Sequence, residues 1–257
     1  MWPIPKELGN FKNLQILDLR YNKLAGSIPS TMGLLTNLQY LDLSFNVISG
    51  SKVFEIRFVK NFSYLFLDSN HINSSIPLEI GNMKSLIELN FCNNKIVGQI
   101  PSTLANCLLL NFLYLSHNYL TGTVHSRIKD LSLLIYVNLS YNNLTGNIPI
   151  FLINRAQFNL SYNSLEGRIP DIFQNYAFER FFADKDLCGD IKGFGHCPPT
   201  SQTMHLVKKT KLKTRSAKNG IRTCSQYGIM MKKLHMKKSL RSQRTLTLDI
   251  VLEQCVE

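Results

Sequence analysis

The chain lacks nearly everything that catalysis or membrane insertion requires. No segment reaches about 18 consecutive apolar residues, so nothing in it is expected to span a bilayer. Met1-Trp2-Pro3-Ile4-Pro5 offers neither a charged n-region nor an apolar h-region, so no signal peptide is expected in this stretch. The six cysteines contain no C-x-x-C pair and the six histidines are scattered, which leaves a metal site unsupported. Gly193-Phe194-Gly195 misses the third glycine of a dinucleotide loop. The stretches V-A-I-K, H-R-D and D-F-G are absent, so no protein kinase domain is encoded here. No catalytic residue, metal or cofactor is expected.

Charge is unevenly spread. The formal net charge is +12, yet residues 1–199 hold 16 Lys+Arg against 14 Asp+Glu, while residues 200–257 hold 13 against 3. The basicity therefore belongs to a tail and says little about the folded part.

What the chain has in abundance is self-similarity. Asn22, Asn46, Asn70, Asn94, Asn118 and Asn142 recur every 24 residues, and Asn163 follows after 21. Leu19, Leu43, Leu67, Phe91, Leu115, Leu139 and Leu160 keep the same register, as do Leu17, Leu41, Leu65, Leu89, Leu113, Val137 and Phe158. Seven copies read L-x-x-L-x-L-x-x-N-x-L/I. In x-L-x-L-x the leucines point one way and their neighbours the other, the period-2 pattern of a strand. Stacked copies predict a curved parallel sheet. The asparagine sits where the chain leaves the strand; its amide both donates and accepts, so it can satisfy backbone groups of adjacent coils and form a ladder.

The exposed strand positions are expected to line one concave surface. Among them Tyr40, Asp42, Tyr64, Phe66, Asp68, Phe112, Tyr114, Tyr136 and Tyr141 are the candidate partner-binding residues. Two readings stay open for the aromatic column: a recognition surface, or ordinary β-propensity on a pleated face. Cys107 shares the register of Leu35, Val59, Met83 and Leu131, which predicts a small buried hydrophobe. Cys92 is expected to be a bland exposed thiol.

The second half of each unit carries the signature L-x-G-x-I-P, as in Leu24-Ala25-Gly26-Ser27-Ile28-Pro29, Ile96–Pro101, Leu144–Pro149 and Leu165–Pro170. This resembles the plant-specific class of leucine-rich repeats, and the match extends over about residues 3–200. The resemblance implies a leucine-rich-repeat solenoid: a curved parallel β-sheet with a 3₁₀ or loop convex side, about seven 24-residue repeats and a disordered basic tail. The expected parts are a truncated repeat at 1–13, the solenoid at 14–180, a C-terminal cap at 181–200 and the tail at 201–257. Repeat two departs from the signature at Lys52-Val53, repeat five has His125 for the proline, and the deletion before Asn163 puts Arg155 at an apolar position. Local distortion or a snorkelling Lys52 is expected in repeat two, and an irregular last coil is expected after the deletion.

Phe181 to Cys197 resembles the cap that closes the ectodomains of plant leucine-rich-repeat receptor-like serine/threonine kinases, which implies a Cys188–Cys197 disulfide. Free thiols are the alternative in a reducing compartment. Family membership implies a peptide or protein ligand, a co-receptor of the same repeat class, no nucleic acid, and placement at the plasma membrane or outside the cell. It implies membrane association only for full-length relatives. The sequons at Asn61, Asn73, Asn138, Asn143 and Asn159 read either as glycosylation acceptors or as a by-product of repeat composition. A stand-alone inhibitor or scaffold, and a truncated product without a role, are the other functions this sequence allows.

The tail has three readings: a nucleic-acid or lipid-binding arm, basic filler, or coding sequence in a shifted frame. The third is preferred. Back-translated one base earlier, Gly228 to Lys238 can read W-N-Y-D-E-K-I-A-Y-E-E, which resembles the segment leading into the kinase domain of these receptors. On that reading Cys224 and Cys255 carry no function.

Overall fold

The computed structural model describes residues 1–50, 59–154, 157–173, 178–184, 186–190 and 193–197. The expected distortions at Lys52 and Arg155, and the whole of the tail with its shifted-frame reading, lie outside the described residues.

Each repeat is one coil of a solenoid. The strands Ile16–Asp18, Tyr40–Asp42, Tyr64–Phe66, Glu88–Asn90, Phe112–Tyr114, Tyr136–Asn138 and Gln157–Asn159 form one parallel seven-stranded sheet in chain order. Register is strict: Leu41 pairs with Leu17 and Leu65, and Leu113 with Leu89 and Val137. All these central residues are buried, as is the column from Leu19 to Leu160. Each such side chain contributes roughly 1.5–3 kcal/mol by leaving water.

The chain leaves each strand through a left-handed residue just before the ladder asparagine. Tyr21, Phe45, Ser69, Asn93, His117, Tyr141 and Tyr162 all have φ between 52° and 58°. Such a conformation is costly for bulky residues and persists where its surroundings over-determine it. The ladder supplies that constraint. Asn118 Nδ2 donates to the Phe91 carbonyl of the preceding coil at 2.9 Å and to Leu115 and Ser116 carbonyls of its own, while its Oδ1 accepts from Ile96 N–H at 2.9 Å. Asn46, Asn70, Asn94, Asn142 and Asn163 repeat this pattern. Asn22 differs: it is exposed, and its amide reaches only the Leu19 and Arg20 carbonyls of its own coil.

Beyond the ladder runs a second set of strands, and then a 3₁₀ turn on the convex side, for example Ser102–Asn106 after Pro101. Proline fixes φ near the value this entry needs and has no N–H to leave unpaired. His125 keeps the same conformation, φ −63° and ψ 136°, and its Nδ1 accepts from Arg127 N–H at 3.1 Å, so the lost proline causes no distortion there. Adjacent turns approach closely. A Cβ on Gly81 would stand 2.4 Å from the Thr103 carbonyl oxygen, so only glycine fits. At the other end Phe158, Phe173 and Phe181 pack edge-on or tilted with centroids 5.5–5.6 Å apart, and the Cys188–Cys197 disulfide ties down the final strand Asp186–Cys188. A loop this short contributes roughly 2–3 kcal/mol on the loop-entropy account.

Candidate partner-binding face

Two columns of strand residues face the concave side. The first runs Ile16, Tyr40, Tyr64, Glu88, Phe112, Tyr136, Gln157; the second runs Asp18, Asp42, Phe66, Asn90, Tyr114, Asn138, Asn159. Tyr40, Tyr64, Tyr114 and Tyr136 are half-buried, as expected of rings that offer an edge to solvent. Four expected members are not exposed. Asp42, Phe66, Asp68 and Phe112 are buried, at 1%, 6%, 5% and 6% of their surface.

The aspartates are buried because the chain uses them itself. Asp42 Oδ1 accepts from the N–H and hydroxyl of Ser44, and Arg20 lies 3.6 Å from Asp42 Oδ2. Asp68 Oδ1 accepts from Asn90 Nδ2 at 2.9 Å. The same device, an acceptor two residues before a serine, recurs at Asn138–Ser140 and Asn159–Ser161. It closes the strand by a local turn and competes with outward display of the side chain. Phe66 and Phe112 are covered by their neighbours: Phe66 lies 5.7 Å from Tyr40 and 6.3 Å from Tyr64, and Phe112 lies 6.5 Å from Tyr114.

The aromatic rings of the two columns therefore fall into two clusters with Glu88 between them. Tyr40, Tyr64 and Phe66 form one; Phe112, Tyr114 and Tyr136 form the other, with Tyr114 and Tyr136 centroids 5.1 Å apart. Burial pushes the Tyr40 and Tyr114 hydroxyls well above the ordinary tyrosine value, aided by Asp42 and Glu88 respectively. Both remain neutral donors at any physiological pH.

Along the edge of the sheet the left-handed residues make a second row. Tyr21 and Phe45 stack at 4.4 Å; His117, Tyr141 and Tyr162 stack at 4.1 Å each, and Phe182 meets Tyr162 edge-on at 5.4 Å. Tyr141 is exposed, and with Tyr119, Asn143 and Tyr162 it lines a shallow, open depression of about 510 Å³. Burial lowers the His117 pKa, so this stack carries no fixed charge near neutrality. Of this row only Tyr141 is among the candidate partner-binding residues read from the sequence, although the repeat register places Tyr21, Phe45, His117 and Tyr162 on the same surface.

The sequons separate by exposure. Asn73 and Asn143 are exposed. Asn61 is exposed too, but its amide donates to the Thr36 carbonyl at 2.7 Å. Asn159 is half-buried. Asn138 is buried, so the folded chain does not present its amide nitrogen as an acceptor, which favours the repeat-composition reading for that sequon. Cys107 is buried, its thiol pushed up to about 11 by that burial, and Cys92 is half-buried with Sγ 3.1 Å from Ser116 Oγ. Among the described residues no cluster of His, Cys, Asp and Glu is arranged to hold a metal ion, and no helix is long and apolar enough to cross a membrane.

Leucine-rich-repeat family profiles match residues 12–52 as two copies, and residues 85–107, 133–154 and 157–176 as single repeats. No curated protein matches the chain in sequence. Solved structures do. The Arabidopsis receptor kinase HAESA ectodomain with an N-terminally extended IDA peptide hormone shares 33% identity and a TM-score of 0.71, covering 77% of this chain and 33% of that one. HAESA with IDA and the co-receptor SERK1 gives 32% and 0.65, covering 75% and 37%. The PEPR1–AtPEP1 structure gives 29% and 0.61, covering 72% and 30%. The chain spans about a third of the length of these relatives. Together with the ladder, the proline-led convex turns and the cysteine-closed cap, these matches identify the chain as a leucine-rich-repeat protein whose described residues form a solenoid of the plant receptor-kinase ectodomain kind.

Proposed function

We propose that the concave face binds an extended peptide or protein ligand outside the cell, in the manner of a receptor ectodomain that also pairs with a co-receptor of the same repeat class. The observation that carries this reading is the in-register row Tyr40, Tyr64, Glu88 and Tyr136, with Tyr114 beside it, on a sheet where Asp42 and Asp68 are turned to bonds with Ser44 and Asn90. Tyrosines at half exposure give a ligand apolar area and a hydroxyl at small entropic cost. One carboxylate between two aromatic clusters favours a ligand that brings a cationic group to Glu88. The HAESA structures hold a peptide hormone and SERK1, which supports the same assignment here. The Cys188–Cys197 disulfide supports an oxidising, extracellular setting.

The test uses extended peptides selected on this chain from a random display library. Calorimetric titration of Tyr64→Ala/Tyr114→Ala should show affinity reduced at least about tenfold, since each lost anchor is expected to cost above about 1 kcal/mol. Affinities equal to those of the unaltered chain would remove the concave face from the reading.

A further inference from the structure

The asparagine ladder ends on a residue that is not asparagine. Asn142 to Asn163 is a step of 21, and another step of 21 reaches Asp184. The residue before it, Ala183, has φ 65°, as the residues before the asparagines do, and Phe181 occupies the buried register of Leu160. Backbone pairing continues too: Leu160 N–H bonds to the Arg180 carbonyl and Tyr162 N–H to the Phe182 carbonyl, as Leu139 and Tyr141 bond to Asn159 and Ser161 one coil earlier. Asp184 Oδ1 accepts from Leu165 N–H at 3.1 Å, the bond that Asn163 Oδ1 makes with Leu144 N–H, and from Asn163 N–H at 3.1 Å. Its other oxygen, Oδ2, is buried without a hydrogen-bond partner.

In every interior rung the corresponding atom is an amide nitrogen that donates to carbonyl oxygens of its own and the preceding coil. A carboxylate oxygen in that register has nothing to donate. A carboxylic acid can donate. We infer that Asp184 is a proton-carrying rung: protonated, it completes the ladder and locks the last coil to the one before; ionised, it loosens the cap.

Among the described residues the charges around it do not supply an alternative partner. The strand Ser164–Arg168 carries Glu166 and Arg168, the turn Phe178–Arg180 carries Glu179 and Arg180, and the strand Asp186–Cys188 carries Asp186. Arg180 is taken by the Phe158 carbonyl at 3.1 Å and the Phe158 ring, Arg168 by Asp171 and Asp190, and Glu166, Glu179 and Asp186 are exposed. Burial pushes the Asp184 carboxyl up to about 6, against the lowering effect of its two backbone donors. The native state therefore holds a proton that the unfolded chain releases near 3.8. The stabilisation is fully present below that value, is lost as pH rises through about 6, and is absent above.

The experiment is amide hydrogen exchange on the full chain at pH 5.0 and 7.5, normalised to intrinsic rates, read at Asn163 and Leu165. Protection in the unaltered chain should fall about tenfold across that interval, the change a pKa near 6 produces. Asp184→Asn should hold high protection at both values, because the amide restores the donor, and Asp184→Ala should be low at both. Flat protection in the unaltered chain, or unchanged pH dependence in Asp184→Asn, overturns the inference. Carboxyl carbon NMR of the unaltered chain decides the matter without any variant: titration of Asp184 near 4 refutes the rung, and titration near 6 supports it.

Discussion

The two sides of each coil are built to different tolerances. The concave sheet runs unbroken through seven strands, whereas the strands after the ladder divide into two sheets. Trp2–Pro3, Leu24–Gly26, Val47–Gly50 and His71–Ile72 form one; Val97–Gln99, Tyr119–Gly122, Asn143–Gly146, Ser164–Arg168 and Asp186–Cys188 form the other. Across the division Lys95 N–H still bonds to the Ile72 carbonyl at 2.8 Å, but past it only an isolated bridge joins Ser75 to Val97 among the described residues, with Val97 N–H at a long 3.3 Å from the Ser74 carbonyl. The cause is local. At the glycine position of L-x-G-x-I-P, Gly26, Gly50, Gly98, Gly122, Gly146 and Gly167 all have φ between 75° and 106°, while the third coil has Ser74, which does not adopt positive φ. A Cβ makes that region costly. Ser74 avoids it, its strand stops after two residues, and its buried Oγ finds no partner. The concave sheet is continuous where ladder side chains bond from coil to coil; on the glycine side the same asparagines hold only the start of each second strand, as Asn94 Oδ1 holds Ile72 N–H, and the glycine position itself depends on backbone pairing.

The largest effect should come from breaking the continuous side. Asn118→Ala removes four hydrogen bonds at once, strands the Ile96 N–H and leaves the Phe91 carbonyl with the longer bond from Asn94 Nδ2 at 3.3 Å. The expected loss is about 3 kcal/mol in urea unfolding, since each stranded buried group costs about 1–3 kcal/mol and relaxation recovers part of it. Asn22→Ala is the control: its amide bonds only within its own coil, so its loss should be near 0.5 kcal/mol, the low end for an exposed hydrogen bond. Equal losses at both positions would mean that coil-to-coil bonding does not hold the concave sheet.

Much of this was legible in the sequence, for a physical reason. A coil that must repeat its inward leucines and its asparagine writes both at a fixed period, so Leu113 or Asn118 can be placed without coordinates. What the period does not carry is how polar residues are shared within a coil and with its neighbours. Asp42 and Asp68 occupy outward positions by alternation, yet Ser44, Arg20 and Asn90 draw them into local bonds that depend on the neighbour's identity. The sequon at Asn138 misleads in the same way, because its serine serves the turn. Asp184 escapes a search for asparagine although it obeys the spacing, and Ser74 hides the sheet break because a serine for glycine is conservative in composition but not in φ.

The glycine side permits a reciprocal pair of changes. Gly98→Ser should cost about 1–2 kcal/mol, the strain of holding a side chain at φ +80°, since a Cβ there would meet only Ser75 Cβ at an ordinary 3.4 Å. Backbone conformation, not space, is the obstacle. The cost should appear in urea unfolding, with the second sheet losing protection around Val97 to Tyr119 while the concave sheet keeps its own.

Ser74→Gly runs the other way and is the smallest effect expected, a gain of about 1 kcal/mol. Two contributions favour it. The buried, unbonded Oγ disappears, which removes a desolvation penalty of about 1 kcal/mol or more, and the freed backbone can take the left-handed conformation that its six counterparts hold. Against them stands the greater conformational entropy of glycine in the unfolded chain, worth about 0.5–1 kcal/mol. The sign therefore depends on whether the new strand pairing forms. Hydrogen exchange reads this directly: Val97 N–H should become protected to the level of the other second-strand amides, because its bond to residue 74 would shorten into regular pairing. A gain in stability without that protection would assign the effect to the hydroxyl alone. A loss of stability would show that the division between the two sheets is set by the neighbouring coils and not by Ser74.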